Sequence, residues 1–397
     1  NCLVSSFAGR HDAWWFYAGF NEIYDCGKGG MEIQTEVTDT ALEKLDALKG
    51  KDNWYLHFNI WDPHTPYRTP EDYDNPFKDD PPPSWLTQKI IDTHNMTFGQ
   101  HCAANHLREG ASEDFYKKYP REPREIKTTA DFKKHVDGYD VGIRFADEAV
   151  GRIVQELKAQ GIYDETAIII SSDHGENQGE LNIYGDHQTA DYITNRVPMI
   201  VKWPGVQPGV NNGFHYQFDI AATIVELVGK NVPSKWDALG FKDAFIAGKE
   251  RGRDHLVISN SAWSAMRAVI FGDHILIRTY RDPVREYPEL MLFNWKHDPH
   301  ETNDLSAAMP EKVNEGLALL QQWLDEQMLS ADRKEDPFMK VIEEGGPYHL
   351  RGRLDKTIEH YEKMGRRDLV DRIHARYRSG SGYYAADWSV TGLKKAP

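Results

Sequence analysis

One stretch of sequence decides the fold class: Thr166-Ala167-Ile168-Ile169-Ile170-Ser171-Ser172-Asp173-His174-Gly175-Glu176. Its four consecutive apolar residues show no alternation, which is typical of a strand covered on both faces, as in parallel sheets. We therefore predict a central strand over residues 166–172. Asp173 and His174 then stand just beyond the carboxyl end of that strand, where open parallel sheets bind their ligands.

The segments on both sides of this strand alternate between helix and strand patterns. Residues 131–160 carry a helical apolar stripe that Gly161 ends as a C-cap. Further segments complete the alternation: a helix over 35–49, a strand over 54–60, a long Pro- and Asp-rich loop over 62–86, a strand over 197–203 and a helix over 216–228. This order predicts an α/β fold with a doubly wound, mainly parallel sheet.

The pattern changes after residue 232. Short apolar runs at 255–258, 266–271, 274–278 and 289–293 predict strands, with a hairpin turn at Gly272-Asp273. An amphipathic helix over 310–330 would pack on this antiparallel sheet. We predict three parts: residues 1–232 in a large α/β domain, 233–330 in a small antiparallel α+β subdomain, and 331–397 as a helical extension with an aromatic tail at Tyr383-Tyr384.

Composition excludes several classes of protein. The formal net charge of −15 argues against a nucleic-acid partner, which requires a basic surface. The chain has no apolar run of about 18 residues, so we expect no membrane-spanning helix. The three cysteines lack CxxC spacing and are interpreted as buried thiols. The opening residues, Asn1-Cys2-Leu3-Val4, resemble the interior of a strand and show no leader pattern.

Asp173 and His174 are the first candidates for a functional role. Carboxylate oxygen and imidazole nitrogen are both ligands of Ca²⁺, Mn²⁺ or Zn²⁺, and Gly175 would let the backbone turn sharply beside them. The spacing alone equally allows a solvated turn in which Asp173 caps a helix. Two ligands are too few for a divalent ion, so others would have to come from elsewhere.

Three further histidines are candidates. His64 lies in the Pro63-His64-Thr65-Pro66 segment, where rigid placement suits an acid or an anion-binding group, although a loop histidine bonded to backbone is the alternative. Asp186 could orient His187 by accepting an imidazole N–H. Arg10-His11 precedes Trp14-Trp15, which could stack on sugar rings while Arg10 pairs with sulfate or carboxylate, or could form an aromatic core.

Taken together, the segments resemble a type I sulfatase of the alkaline-phosphatase superfamily. The resemblance covers about residues 50–306 and rests on motifs in a fixed order: Trp61-Asp62-Pro63-His64-Thr65-Pro66-Tyr67, Ser172-Asp173-His174-Gly175-Glu176, Arg196-Val197-Pro198-Met199-Ile200-Val201, Trp203-Pro204-Gly205 and Asp298-Pro299-His300-Glu301. It implies that Asp173 and His174 bind a divalent cation, with Ca²⁺ expected and Mn²⁺ or Zn²⁺ as alternatives. It also implies that His64 contacts the sulfate and protonates the leaving oxygen. His187 stands where the family has a sulfate-binding lysine.

The chain departs from the family in one larger respect. No cysteine or serine fits the Cys/Ser-x-Pro/Ala-x-Arg motif, whose first residue becomes the nucleophile formylglycine, and the family's metal-binding Asp pair is missing. We expect both in an N-terminal segment that a separate chain could supply. With that segment, the resemblance implies hydrolysis of a carbohydrate or aryl sulfate ester.

Three alternatives remain from the sequence. The first is a phosphonate monoester or phosphodiester hydrolase of the same superfamily, the second is a non-catalytic sugar-binding protein, and the third is a chain that binds no metal.

Overall fold

The computed structural model describes residues 1–97, 99, 101–103, 111–282, 285, 287–332, 334–343, 346–347, 349 and 354–375. The chain forms two compact units, the first made of residues 1–92 with 107–168 and the second of residues 93–106 with 169–397. The predicted boundaries at residues 232 and 330 stay predictions.

The first unit is built on a parallel three-stranded sheet. Its strands are β1 (Cys2–Val4), β2 (Glu22–Tyr24) and β3 (Leu56–Phe58), in the order β2-β1-β3. Its helices are α1 (Phe7–His11), α2 (Gln34–Ala47), α3 (Gln88–His94, which continues into the second unit), α4 (Glu113–Lys118) and α5 (Thr129–Ala159). The opening residues are thus a buried strand in the middle of a sheet, as their apolar character predicted.

Helix α5 has clear start and stop signals in its sequence. Thr128 and Asp131 cap its first turn reciprocally, side chain to backbone. Gly161, at a φ of +74°, ends it: the N–H of Gly161 donates to Lys158 O and that of Ile162 to Leu157 O, the Schellman pattern. The C-terminal turns bury Ile153 and Leu157 against α2 and the sheet.

The second unit contains most of the strand predicted over residues 166–172. Strand β4 (Ile168–Ser171) begins at the last residue of the first unit and pairs with β7 (Met199–Lys202), while β5 (Asn177–Gln178) pairs with β6 (Tyr184–Asp186). An antiparallel sheet in the order β11-β10-β9-β8 follows, made of β8 (His255–Asn260), β9 (Ala265–Phe271), β10 (His274–Arg281) and β11 (Leu290–Phe293). Its helices are α6 (Tyr192–Asn195), α7 (Asp219–Leu227), α8 (Lys242–Ala247), α9 (Pro310–Ser330), α10 (Pro337–Glu343), α11 (Leu354–Lys363) and α12 (Arg367–Ile373).

The predicted fold class is confirmed: a mixed α/β chain with a parallel sheet and a C-terminal antiparallel sheet. The Gly272-Asp273 hairpin, helix α9 and the long loop over 62–86 are found where the sequence placed them, and the described residues after 330 include the short helices α10, α11 and α12. The Tyr383-Tyr384 tail lies outside the described residues. In the described part of the chain, every helix is too short or too polar to cross a membrane.

One detail of the fold differs from expectation. Strand β4 was predicted to be central, yet among the described residues it has β7 as its single neighbour. The apolar side chains of Ile169, Met199 and Ile200 on these two strands are partly exposed, Ile200 by 59%. The run of apolar residues therefore predicts a strand that favours burial, although the described residues bury its side chains only in part.

Candidate active-site residues in each unit

The turn after β4 is held by a close approach of two backbone segments. The N–H of Gly175 donates to the carbonyl of Thr194 in α6 at 2.7 Å. A Cβ atom on Gly175 would lie 2.4 Å from the carbonyl oxygen of Ile193, so only glycine fits without movement of the backbone. Gly175 therefore serves close approach, and it fixes residues 173–176 against α6.

Asp173 and His174 present a donor pair within this turn. The His174 Nδ1 atom lies 2.8 Å from Gly175 O, and its Nε2 atom lies 3.6 Å from Asp173 Oδ2. No helix follows Asp173, since strand β5 begins at Asn177. The interpretation of Asp173 as a helix N-cap is therefore wrong.

This pair fits a divalent cation in two respects. An Nδ1–H bonded to a backbone carbonyl leaves Nε2 unprotonated, the usual arrangement of a metal-binding histidine. A spacing of 3.6 Å also allows one ion to contact both atoms at ordinary bond lengths of roughly 2.0–2.5 Å. Within the described ranges, no group of three or more His, Cys, Asp or Glu side chains is arranged to hold a metal.

His187 packs directly on the donor pair. Its ring centroid lies 3.8 Å from that of His174. Partial burial lowers the pKa of His187, and the neighbouring His174 lowers it further against the opposing effect of Asp186. The structure thus brings together Asp173, His174 and His187, which the sequence had placed on two separate segments.

Asp186 behind His187 has a second partner that sequence reasoning missed. His101 Nε2 lies 3.1 Å from Asp186 Oδ2, whereas His187 Nε2 lies 3.8 Å from Oδ1, and the His187 backbone N–H donates to Oδ1 at 2.7 Å. Burial alone would raise the pKa of Asp186, but His101 and His187 outweigh it and lower the pKa to about 2. Asp186 therefore orients the His187 backbone, while its closest imidazole partner is His101.

In the first unit, the candidate residues Arg10, His11 and His64 lie around the ring of Trp61. The Arg10 guanidinium lies 5.0 Å from the Trp61 ring centroid, and the centroids of His11 and His64 lie 5.9 and 5.7 Å from it. Trp61 itself is buried and donates its indole N–H to Ser6 Oγ at 2.9 Å. Arg10, His11 and His64 thus form one cluster, although each came from a different argument.

Arg68 fixes the loop that carries His64. Its guanidinium donates to the carbonyls of Trp61 and His64, each at 3.3 Å, and to that of Gly30. His64 is half-buried, and its Nδ1 contacts Thr65 O. Arg68 adds to the rigidity that the flanking prolines predict for His64. Sequence reasoning overlooked Arg68 because its partners are carbonyls.

The aromatic residues beside Arg10 lie on the surface. Trp14 is 60% exposed and Trp15 is 75% exposed, so the alternative in which they form an aromatic core is wrong. The short 3₁₀ turn Trp14–Tyr17 presents them to solvent.

Cys2 and Cys102 are buried as expected, whereas Cys26 is half-buried, and all three are free thiols.

The family model named Sulfatase matches residues 6–230, more than half of the chain. The chain belongs to the sulfatase family. The matched range contains all six candidate residues of both units.

Curated relatives of this sulfatase-family chain match it over part of their length. The multifunctional alkaline phosphatase superfamily protein PehA of Trinickia caryophylli is 24% identical over 253 residues, which cover 59% of this chain and 46% of that protein. A lipoteichoic acid synthase of Staphylococcus aureus is 35% identical over 101 residues, 24% of this chain and 16% of that protein. The chain thus spans less than half the length of these relatives.

Solved structures show the same fold. A phosphonate monoester hydrolase from Silicibacter pomeroyi superposes with a TM-score of 0.57 at 22% identity, covering 76% of this chain and 62% of that one. A protein solved in complex with its substrate D-glucosamine-2-N,6-O-disulfate gives a TM-score of 0.56 at 18% identity, covering 75% and 71%. At these identities the likeness establishes the fold.

Proposed function

We propose that this sulfatase-family chain is part of a metal-dependent hydrolase that cleaves sulfate esters of carbohydrates. The observation that carries the proposal is the donor pair of Asp173 and His174, 3.6 Å apart at the end of β4 and in contact with His187. A divalent cation there, with Ca²⁺ expected and Mn²⁺ or Zn²⁺ as alternatives, would neutralise charge on the sulfuryl oxygens.

We assign the remaining roles within each unit. In the second unit His187 would donate a hydrogen bond to a sulfuryl oxygen, held in orientation by its backbone bond to Asp186. In the first unit His64 would protonate the leaving alcohol, with its ring held by the contact of Nδ1 with the carbonyl of Thr65. Arg10 and His11, beside Trp61, would contact the substrate.

The nucleophile is also part of the proposal. Sulfatases attack sulfur with a formylglycine hydrate, and we propose that this residue and the remaining metal ligands belong to a segment outside these 397 residues. The partial coverage of PehA, 46% of its length, is compatible with this arrangement. Mass measurement of the complete gene product would detect formylglycine directly.

A carbohydrate is favoured over a simple aryl group by the exposed Trp14 and Trp15. Exposed tryptophan faces stack well on sugar rings, and they lie a few residues after Arg10. Phosphonate monoester hydrolysis is the second candidate, favoured by the similar fold of the Silicibacter pomeroyi enzyme.

Two assays on the complete protein separate the candidates. We expect turnover of 4-nitrophenyl sulfate and of a sulfated glucosamine to exceed turnover of a phenyl phosphonate monoester. His187→Ala should raise KM and lower kcat, because it removes a contact to the transferred group. The opposite substrate order would favour the phosphonate hydrolase. Saccharide binding with no hydrolysis of any ester would favour the binding-only protein, and unchanged kinetics in His187→Ala would refute the role of His187.

A further inference from the structure

The first unit contains a cleft formed by the loop over residues 71–78 and helix α5. Its volume is about 400 Å³, within the range of small-ligand sites. Six charged side chains line it: Lys78, Arg121, Lys133, Lys134, Glu71 and Asp137. Four cations against two carboxylates make it a locally positive surface on a chain whose formal net charge is −15.

The walls of this cleft are fixed by hydrogen bonds within the first unit. Arg121 donates to the carbonyls of Thr69 at 3.1 Å, Pro70 at 2.7 Å and Tyr73 at 2.6 Å. Lys133 Nζ donates to Phe77 O at 2.8 Å, which ties the loop to α5. A cleft held in this way loses little conformational entropy when a ligand enters.

Two of the four cations are already compensated. Lys133 Nζ lies 2.6 Å from an Asp137 carboxylate oxygen. The guanidinium of Arg121 is occupied by backbone carbonyls, and the carboxylate of Glu71 offsets its charge. Lys78 and Lys134 remain, and neither forms an ion pair with any residue that the structure describes. The cleft therefore carries about two positive charges available to a ligand.

We propose that this cleft binds a sulfate or carboxylate group of a polyanionic saccharide, a group other than the ester that is hydrolysed. The inference rests on the proposed function and deepens it, since it makes the substrate a saccharide with more than one anionic group. Lys78 and Lys134 would pair with the anion, and the Asn75 side chain with Pro120 and Ala130 would contact the sugar. A neutral sugar would leave both lysines uncompensated, and a single inorganic ion would leave most of the volume unfilled.

The test is a binding titration of the whole chain with a heparin-derived tetrasaccharide, compared with a neutral tetrasaccharide and with inorganic sulfate. We expect Lys78→Ala/Lys134→Ala to weaken tetrasaccharide binding about tenfold and to reduce its salt dependence. Lys49→Ala/Lys51→Ala is the matched control, because it removes two exposed lysines of the same unit outside the cleft. That control should bind as tightly as the unaltered chain.

Each outcome decides the inference. Equal losses in the two double variants would show a general charge effect and overturn it, as would equal affinity for the neutral tetrasaccharide. Inorganic sulfate binding as tightly as the tetrasaccharide would reduce the cleft to a simple anion site and also overturn it. Because the titration requires no turnover, cleft binding by a complete protein that hydrolyses no ester would mean that the proposed function had failed while the cleft assignment stood. Hydrolysis without cleft binding would mean the reverse.

Discussion

The imidazole Nε2 of His101 lies 3.1 Å from the carboxylate Oδ2 of Asp186, and both side chains are almost entirely buried. This pair joins the segment before residue 104 to the turn that carries His187. A buried carboxylate that loses its partner is strongly destabilised, because its charge is then left in a poorly solvated environment.

We therefore predict that His101→Ala lowers the free energy of unfolding by about 3 kcal/mol near neutral pH. The pKa of Asp186 is lowered from 3.8 to about 2, so its contribution is present above pH 3.8 and disappears as pH falls through about 2. Urea titrations from neutral pH downward should show the loss shrinking with acidification. His101→Gln, which keeps an N–H donor, should lose less, and a loss independent of pH would contradict the pairing.

A second pH effect has the opposite sign. Burial raises the pKa of Asp62 to about 6, against the lowering effects of Arg68 and of the Gln34 N–H, which donates to Asp62 Oδ2 at 2.7 Å. The carboxyl thus favours folding below its ordinary pKa of 3.8, and this contribution is lost as pH rises through about 6. Asp62→Asn keeps the acceptor and removes the charge. We expect it to gain up to about 3 kcal/mol relative to the unaltered chain between acidic and neutral pH. Parallel stability curves would refute this.

Gly175→Ala should be markedly destabilising. The new Cβ atom would lie 2.4 Å from the Ile193 carbonyl oxygen, so the turn or α6 must move, at about 2 kcal/mol or more. Gly151→Ala in α5 is the control, since nothing lies within 4 Å of its new Cβ. That control should be neutral or stabilise by up to about 1 kcal/mol. Chemical denaturation of both variants tests the difference, and equal effects would contradict the close approach.

Asp173→Asn should weaken binding of a divalent cation on the order of a hundredfold, because it replaces a charged ligand by a neutral one. Titration of the complete, chelator-treated protein with Ca²⁺, followed by the melting temperature, measures the effect. Asp254→Asn removes an exposed carboxylate of the same unit as a control. Unchanged affinity in Asp173→Asn would remove Asp173 from the metal site.

Replacing Trp14 and Trp15 together by Ala should reduce saccharide affinity while leaving stability nearly unchanged. Both rings are more than half exposed, so little buried area is lost on substitution. Stacking on a sugar ring would make the loss of affinity several-fold. Val210→Ala, a residue 80% exposed in the second unit, is the control. Full affinity in the tryptophan variant would favour a substrate recognised by charge alone.

Much of the fold could be predicted because its local patterns were unambiguous. Helix α5 has an apolar stripe, a capping box and a terminal glycine that all agree, and the structure follows them to within two residues. The hairpin at Gly272 was equally clear. The neighbours of β4 could not be predicted. An apolar run indicates that a strand favours burial, but it does not indicate which other strands pair with it or pack on it.

Some of the candidate site residues could also be predicted from a clear local pattern, and others could not. Asp173 and His174 follow a strong strand signal, and their geometry fits the expected chemistry. His101 had no such signal, since it is a lone histidine more than 80 residues before its partner Asp186. For Trp14 and Trp15 the sequence left a stacking surface and an aromatic core both open, because aromatic content predicts burial on average, whereas the short 3₁₀ turn exposes them.

The partly exposed strands β4 and β7 have a practical consequence for anyone who prepares this chain. Another molecule can pair with the main-chain N–H and C=O groups at the edge of such a two-stranded sheet. Exposed apolar side chains favour that association, and Ile200 is exposed by 59%. Solutions of the 397 residues should therefore lose colloidal stability as concentration rises. A charged substitution such as Ile200→Lys would act as a gatekeeper against that precipitation.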